Sequence, residues 1–445
     1  MSPKNIPVSL ARQNLGSLTV QVSTDQNIMP LAPIEGVTVT VKGVSETGEV
    51  TTVAQTTTNE VGKTDTIELA APSVELSLDE NNNLMPYANY IIETSSPNYV
   101  DVSITGSQVF ADTESIQPIG LIPTNIPNSN TRRGMRPNID PMGSTSLTES
   151  IVIGPSTLYG NYPNKIPEDD IKELNPDGGF ITLDSVVVPE YVIVHAGSPN
   201  NNSAPNYTVP FIDYISNVAS SEIYPTWPIE TIRANLIAIV SFTLNRVYTE
   251  WYRNQGKPYT ITNNTAFDHA FFYGRNLFDS IVNEAVNVFN TYVRRGDAVQ
   301  PLLTQYCDGK NSSCPGWMTQ WGSKYLGDQG YSAERILRYY YGNNISLDTA
   351  PEVEGNPSSY PGTPLRLGST GSAVRTIQTQ LNRISQNYPL IPKVAVDGNF
   401  NDATAEAVRT FQRIFNLTAD GVVGSGTWYE ISRIYVAVTK IAELR

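Results

Sequence analysis

Several residue types that would indicate a particular class of protein are scarce in this chain. Cysteine occurs twice in 445 residues, at Cys307 and Cys314, and histidine also occurs twice. Two cysteines are too few for a disulfide-rich scaffold, and with two histidines they do not make a recognisable zinc site. We therefore expect free thiols or one disulfide at these positions, no metal ion and no cofactor.

Basic residues are scarce as well. The chain has 29 Lys and Arg against 43 Asp and Glu, which gives a formal net charge of −14. Binding to nucleic acid and electrostatic attachment to a membrane both need clustered positive charge. Neither a nucleic acid nor a membrane is therefore expected as a partner.

Long apolar segments are also missing. No run approaches the roughly 20 apolar residues that a membrane-spanning helix needs. The first 18 residues, MSPKNIPVSLARQNLGSL, lack the apolar core of a secretory signal peptide. We expect a protein that is retained where it is made, or one that is released without the usual export route.

Length and composition predict several domains. A chain of 445 residues with 40% hydrophobic content can form two to four domains with real cores. The changes of pattern along it predict a multidomain α+β protein with an N-terminal β-sandwich, a central α+β domain and a small C-terminal three-helix domain. The predicted segments are a leader (1–15), the sandwich (16–124), a linker (125–155), the central domain (156–350), a second linker (351–363) and the C-terminal domain (364–445).

Residues 16–124 alternate between apolar and polar side chains. Leu18, Val20 and Val22 form one such run, and turn-rich pieces separate it from several similar runs. Short strands with regular turns predict a small β-sandwich. The region resembles transthyretin-like and carboxypeptidase-regulatory-like modules, which implies a folding or packing role without catalytic residues.

The stretch 125–155 is rich in Pro, Asn, Ser, Gly and Thr and has little apolar periodicity. This composition predicts a linker. It contains the pair Arg132-Arg133, and exposed linkers of this type are preferred sites of proteolytic nicking. Two interpretations remain open, a passive spacer and a site of activating cleavage.

A helical stretch at 210–251 dominates the central domain. A short helix is interrupted by Pro225 and Pro228, and a long helix is predicted to start near Trp227. Glu222 lies just before this turn, among aromatic residues, where burial would raise its pKa as a general acid requires. The residues alone favour a solvated glutamate near a helix end over a catalytic one.

The C-terminal region contains a repeated pattern of an Asp-Gly turn and a helix. The turns are Asp397-Gly398 and Asp420-Gly421. With the sequence LRLG at 365–368, the region resembles the type-one peptidoglycan-binding module over about 363–435. This implies a shallow groove for glycan or stem peptide, while Asp397 and Asp420 are expected to be turn formers rather than ligands.

The central domain resembles the SpoIID-type lytic transglycosylase domain. The residues that carry the resemblance are EIYPTWPIETIRANL at 222–236, MTQWG at 318–322 and the helix at 331–341. The chain departs from the family at Arg233 (usually Lys), at Asn235 (usually Gln) and at Val240-Ser241, where the usual arginine is missing. These departures leave the details of substrate recognition open.

The resemblance implies Glu222 as the single catalytic residue. It also implies that Trp227, Arg233, Trp317, Gln320 and Trp321 bind the glycan, since aromatic faces stack on sugar rings. Each tryptophan can equally be a core residue.

Other carboxylates are possible rivals or partners of Glu222. Glu230 lies at the start of the long helix, where the helix dipole favours a structural carboxylate. Asp213, Glu250 and Asp268 are candidates for the second carboxylate that a glycoside hydrolase needs.

The order of the modules resembles that of spore cortex-lytic enzymes. This implies a proenzyme stored in the cortex or coat region of the spore, with cortex peptidoglycan as its substrate. A subtilisin-like Csp protease would cut the 125–155 linker at germination, and the enzyme would then produce 1,6-anhydromuramic ends. The alternatives are a non-catalytic wall-binding or spore-coat protein and a cortex glycoside hydrolase.

Overall fold

The computed structural model describes residues 14–45, 47–124, 148–173, 182–312 and 314–439. They form a mixed α/β protein with a β-rich N-terminal part, a central α/β part and a helical C-terminal part. Nearly all of the predicted leader and the Arg132-Arg133 pair lie outside the described residues. In the described ranges, no helix is both long enough and apolar enough to cross a bilayer.

Two β-sheets form the N-terminal part. Their strands are β1 (Leu15–Thr24), β2 (Thr38–Val44), β3 (Val50–Thr57), β4 (Ile67–Ala70), β5 (Ala88–Ser95), β6 (Asp101–Val109), β7 (Glu114–Leu121) and β8 (Thr148–Val152), and the one-turn helix α1 (Glu75–Leu78) follows β4. The first sheet has the order β3-β2-β5-β6-β8. The second has the order β4-β1-β7 and is extended beyond β7 by a strand of the central part.

Alternation along the strands explains how the two sheets pack. In β2 every second residue is buried, including Val39 and Val41, and the residues between them are half-buried. β-Branched side chains suit such a pleated, half-buried surface. Inward-facing residues of both sheets form one core, so the N-terminal part is a β-sandwich, which we call the sandwich below.

The sandwich includes residues from beyond position 124. β8 lies within the stretch predicted as a linker, and its Ile151 belongs to the sandwich core. The strand that extends the second sheet is β13 (Leu277–Phe278), which pairs antiparallel with β7. Downstream segments therefore contribute an outer strand to each sheet.

The central part is organised around one long buried helix. Its helices are α2 (Phe211–Glu222), α3 (Ile229–Tyr248), α4 (Asp279–Val288), α5 (Gln320–Asp328) and α6 (Ala333–Tyr341), and Arg253–Gln255 forms a short 3₁₀ turn. Its short strands are β9 (Val187–Val188), β10 (Tyr191–His195), β11 (Asn206–Pro210), β12 (Ile261–Thr262), β13, β14 (Thr291–Arg295), β15 (Tyr306–Cys307), β16 (Met318–Thr319), β17 (Ile345–Thr349) and β18 (Glu352–Val353). Most residues of α3 are buried, as expected for a helix that is surrounded by other elements.

Prolines set the starts of the two helices that carry the candidate site. Pro210 and Pro228 occupy the N-cap positions of α2 and α3, each with a φ of −53°. A fixed φ near this value and a missing amide hydrogen suit the start of a helix. The long helix therefore begins at Ile229, two residues after Trp227, where the sequence pattern had placed its start.

Three helices and two matching turns form the C-terminal part. The helices are α7 (Ser372–Ile384), α8 (Asp402–Ile414) and α9 (Ser425–Thr439). Gln378 and Gln412 each accept a hydrogen bond from a turn glycine, Gly398 at 2.9 Å and Gly421 at 2.8 Å. Both glutamines also donate to the aspartate of the same turn.

The aspartates of these turns are bound to their own backbone. The Asp397 carboxylate accepts from the amide of Asn399, and that of Asp420 accepts from the amide of Val422, each at 2.8 Å. The prediction that both are turn formers is confirmed, because Oδ1 of each aspartate accepts from the backbone of its own turn.

Both other parts of the chain contact the C-terminal helices. On the sandwich, Lys63 donates to the Arg413 carbonyl at 3.0 Å and to Asn416 Oδ1 at 2.5 Å. From the central part, Asn283 Oδ1 accepts from the amide of Thr418 at 2.6 Å. The C-terminal part therefore packs directly against both other parts and is not a separate domain on a free linker.

Candidate active site

Glu222 is the last residue of α2 and is buried. Its carboxyl is held from two sides. Oε1 accepts a hydrogen bond from the backbone amide of Ala270 at 2.6 Å, and Oε2 accepts one from the Tyr306 hydroxyl at 2.5 Å. The helix ends at Glu222, since the next residue, Ile223, is extended and leads into the proline-rich turn. The helix end places Glu222, and the two hydrogen bonds orient its carboxyl.

Burial raises the pKa of the Glu222 carboxyl, because the charged form loses its hydration. The positive charge of Lys165 and the hydrogen bonds from Tyr306 and Ala270 oppose this shift, and the pKa remains raised. A carboxyl with a raised pKa keeps its proton at higher pH. It can therefore act as a general acid.

Lys165 lines the same cavity as Glu222. Its ammonium donates to the Asp268 carbonyl at 2.5 Å and lies 4.8 Å from the ring centre of Phe242 and 5.0 Å from that of Tyr306. Burial lowers the pKa of Lys165, and the negative charges of Glu222 and Asp268 oppose that change. The ammonium is placed to counterbalance negative charge on Glu222 without a direct ion pair.

A buried ion cluster anchors the segment that carries Lys165. The fully buried Arg246 of α3 pairs with Glu168 at 2.6 Å and with Asp268 at 2.8 Å. Asp268 also accepts from the Tyr252 hydroxyl at 2.6 Å and from Thr262. Since the remaining lone pairs of Asp268 are engaged in this way, the carboxylate serves structure.

The cavity beside Glu222 is small. Its volume is about 50 Å³, and its lining includes Lys165, Tyr306, Asp308 and Gln320. Ligand pockets usually measure at least about 300 Å³, so the cavity holds a few water molecules but no saccharide unit in this conformation. Cys307, which also lines it, is joined to Cys314 by a disulfide.

Asp308 is a third carboxylate at this cavity. Its two oxygens accept from the backbone amides of Asn311 and Ser312, each at 2.8 Å. It therefore closes a turn. Over the described residues, no group of three His, Cys, Asp or Glu side chains is arranged to hold a metal ion.

The remaining carboxylates considered above lie elsewhere. Asp213 lines a separate cavity of about 310 Å³ between the three parts of the chain. There it lies 3.6 Å from Arg433. Glu250 pairs with Arg253. The structure thus brings neither of them to the Glu222 cavity.

The predicted glycan-binding residues lie at the Glu222 cavity, in a buried aromatic region and, for Arg233, on the outer side of α3. Gln320 lines the cavity with Glu222. Trp227 and Trp321 lie with ring centres 5.0 Å apart and pack with Tyr224 in an aromatic cluster, and Trp317 is also buried.

Arg233 and Glu230 form an ion network on the outside of α3. The Arg233 guanidinium contacts Glu230 and lies 2.8 Å from Glu284. Glu230 also accepts from the amide of Ala333 at the start of α6. Both residues are engaged in structural contacts in this conformation.

The sandwich contacts the aromatic cluster at Tyr224 and Trp227. The Trp227 indole donates to the Ser77 carbonyl at 3.0 Å, and the Ser77 and Thr226 hydroxyls are 2.7 Å apart. Ser77 belongs to α1 of the sandwich. The N-terminal part therefore contacts the Trp227 edge of this cluster, while the rings of Trp227 and Trp321 pack against each other.

Sequence reasoning missed Lys165 and Tyr306. They lie 57 residues before and 84 residues after Glu222 in the chain, and neither is part of the quoted motif. No spacing rule connects residues that meet only through tertiary packing. A lysine and a tyrosine near an expected catalytic glutamate could have been found only from coordinates.

Comparison with known proteins finds one family model and several relatives that match parts of the chain. Residues 370–431 match the family model described as "Putative peptidoglycan binding domain". The chain is 29% identical over 125 residues to a probable N-acetylmuramoyl-L-alanine amidase of Bacillus licheniformis, covering 28% of this chain and 33% of that protein. It is 28% identical over 151 residues to the N-acetylmuramoyl-L-alanine amidase CwlL of the same organism, covering 34% and 39%.

A third relative and one solved structure match shorter stretches of the chain. The zinc D-Ala-D-Ala carboxypeptidase of Streptomyces albus G is 38% identical over 71 residues, covering 16% of this chain and 26% of that protein. The solved structure of the SleB N-terminal domain matches 17% of this chain and 99% of that one, with 27% identity and a TM-score of 0.15.

The chain spans only about a quarter to two fifths of the length of the three curated relatives. What the comparisons show of this chain itself is the match of residues 370–431 to a peptidoglycan-binding domain model.

Proposed function

We propose that this protein is a lytic transglycosylase of spore cortex peptidoglycan, with Glu222 as its single catalytic residue. The observation that carries the proposal is the buried Glu222 carboxyl, whose raised pKa and two hydrogen bonds prepare it to donate a proton. The peptidoglycan-binding match at 370–431 supports the choice of substrate.

The reaction needs one carboxyl used twice. Protonated Glu222 gives its proton to the glycosidic oxygen, the bond from that oxygen to C1 of muramic acid breaks, and the leaving sugar departs as an alcohol. The Glu222 carboxylate then removes the proton of the C6 hydroxyl, and O6 bonds to C1. The product is a 1,6-anhydro ring, no water is consumed, and Glu222 is protonated again.

The other carboxylates at the cavity favour this chemistry over hydrolysis. A glycoside hydrolase usually needs a second carboxylate as base or nucleophile. Asp268 is engaged by Arg246, and Asp308 accepts two backbone hydrogen bonds. Glu222 is thus the carboxyl among the lining residues without a structural ion pair or turn to maintain.

We further propose that the uncut chain is an inactive proenzyme. The small cavity and the cover that α1 places over Trp227 support a closed state. Cleavage in the predicted 125–155 linker by a subtilisin-like Csp protease at germination would allow this cover to dissociate. After dissociation, Trp227, Trp317, Gln320 and Trp321 would line an open glycan cleft, and Arg233 would bind the glycan only after leaving its contact with Glu230.

A second candidate is a non-catalytic wall-binding protein of the spore coat. The closed cavity beside Glu222 favours it, because a protein that only binds needs no accessible carboxyl. The two candidates differ in what they leave behind on purified cortex.

The experiment compares cut protein, uncut protein and two variants on purified cortex peptidoglycan, with mass spectrometry of the released fragments. Glu222→Gln is expected to abolish the anhydro-ended muropeptides, whereas the matched control Glu230→Gln is expected to retain them. Reducing ends in place of anhydro ends would make the protein a hydrolase. If no form releases fragments, the wall-binding alternative stands.

A further inference from the structure

We propose that the part of the sandwich before residue 125 stays non-covalently bound to the downstream piece after the chain is cut between residues 125 and 147. The partner of its two sheet edges is the downstream piece of the same chain. The consequence for activity rests on the proposed function, but the binding itself does not.

The first sheet carries one half of this interface. β8 pairs in parallel with β6 from Asp101–Thr148 to Thr105–Val152. The pairing continues beyond the strand, where the Ile153 amide donates to the Thr105 carbonyl at 2.9 Å. Ile151 and Ile153 are both buried in the sandwich core, so the downstream piece supplies core side chains as well as a strand.

The second sheet carries the other half. β13 pairs antiparallel with the outer edge of β7. Next to it, the Asn276 side chain accepts from the Gln108 amide at 2.9 Å and donates to the Gln108 carbonyl at 2.8 Å. These groups are buried. Separation would leave them without partners unless water replaced the lost contacts.

Aromatic side chains fill the space between the two edges. Phe110 of the sandwich lies 5.3 Å from the ring centre of Tyr224 and 5.2 Å from that of Phe278. The Tyr87 hydroxyl accepts from the Ser156 amide at 3.1 Å. All of these aromatic residues are buried, so release of the sandwich would expose a continuous apolar surface together with two unpaired sheet edges.

Cutting the linker therefore turns an intramolecular contact into an intermolecular one, and the geometry of the interface stays the same. A tethered domain binds at the high effective concentration that the linker sets, whereas a free one binds according to its actual concentration. The α1 contact with Trp227 belongs to the same interface. Under the proposed function, the cut enzyme stays covered until the sandwich dissociates, which dilution or competing glycan would promote.

The test places a recognition sequence for a specific protease in the 125–147 segment of the full chain and follows the cut protein by gel filtration. At about 1 μM, a complex of the nanomolar affinity common for standard interfaces stays intact. At this concentration we expect both pieces to co-elute at the position of the uncut chain and to separate when denaturant is added. Two native peaks at the positions of the separate pieces would overturn the proposal, whatever the enzyme's activity.

Two neighbouring residues of β8 provide a matched pair of variants. Ile151 faces the core, whereas the side chain of Val152 is exposed. Ile151→Asp is expected to raise the dissociation constant of the cut pieces at least about tenfold, because it places a charge in the core. Val152→Asp is expected to leave it unchanged. An equal effect of both variants, or none from either, would contradict the assignment of the β8 edge as part of the interface.

Discussion

Replacing Tyr306 with phenylalanine removes one hydroxyl group and leaves the ring in place. That hydroxyl donates to Glu222 Oε2 at 2.5 Å and stabilises the charged carboxylate. A hydrogen bond to a charged group contributes about 1.5–3 kcal/mol. Since one pKa unit corresponds to about 1.4 kcal/mol, Tyr306→Phe should raise the pKa of Glu222 by about one to two units.

The direction of the effect on activity follows from the role of Glu222. A general acid must carry its proton in the free enzyme, so activity falls as the pH rises through the pKa of Glu222. Tyr306→Phe should therefore move the alkaline limb of the pH profile upward by about one to two units.

Stability provides an independent readout of the same change. Burial raises the pKa of Glu222 in the folded protein. Its contribution to stability is then fully present below the unfolded pKa and is lost as the pH rises through the folded pKa. The pH window lies between the pKa of Glu222 in the unfolded chain and its pKa in the folded protein. Above this window, Tyr306→Phe should lower the free energy of unfolding by about 1–3 kcal/mol more than it does below it.

The assay measures kcat/KM of the cut enzyme on solubilised cortex glycan across the pH range. Tyr341→Phe is the matched control, because the Tyr341 hydroxyl is buried and donates to the Gln305 carbonyl at 2.9 Å rather than to Glu222. The control should keep the alkaline limb of the wild type. A limb that moves downward in Tyr306→Phe, or an equal shift in both variants, would refute the assignment of Tyr306.

Three further predictions follow from the ion contacts and from the C-terminal turns. Lys165→Met removes the positive charge near Glu222 and should also raise the alkaline limb of activity, whereas Lys165→Arg should retain it; equal profiles for both would contradict this. Arg246→Met leaves the buried Asp268 carboxylate without its ion pair, whereas Glu168 keeps Lys172, and should lower the free energy of unfolding by about 3–5 kcal/mol in urea titrations, so a loss below about 1 kcal/mol would be inconsistent. Gln412→Ala removes the hydrogen bonds that close its turn, and should cost about 1–3 kcal/mol of stability and reduce co-sedimentation with peptidoglycan; wild-type values in both assays would contradict it.

Patterns with local physical causes were readable from the sequence. Alternating valines predict the sandwich because a pleated strand turns every second side chain inward. Asp420 and Gly421 predict a turn because the aspartate side chain accepts from the backbone two residues on and the glycine adopts a positive φ. Pro228 predicts a helix start for the same reason, although it sets that start at the following residue.

Features that depend on distant contacts were not readable. β8 is five residues long and lies in a stretch whose overall composition predicts a linker, and it forms a strand by pairing with the edge of β6. Arg233 lies in the stretch that resembles the SpoIID-type motif, and its partners in the structure are Glu230 and Glu284. Lys165 lies near Glu222 because Arg246 pairs with Glu168, three residues after Lys165. Arg246 and Glu168 are 78 positions apart in the chain.

The central claim is that Glu222 cleaves the glycan without water and closes the sugar on itself. The most direct test is to digest cortex peptidoglycan with linker-cut protein in H₂¹⁸O and to weigh the new ends by mass spectrometry. We predict anhydro ends that carry no ¹⁸O and that disappear in Glu222→Gln. Reducing ends labelled with ¹⁸O, or anhydro ends that persist in Glu222→Gln, would contradict the account.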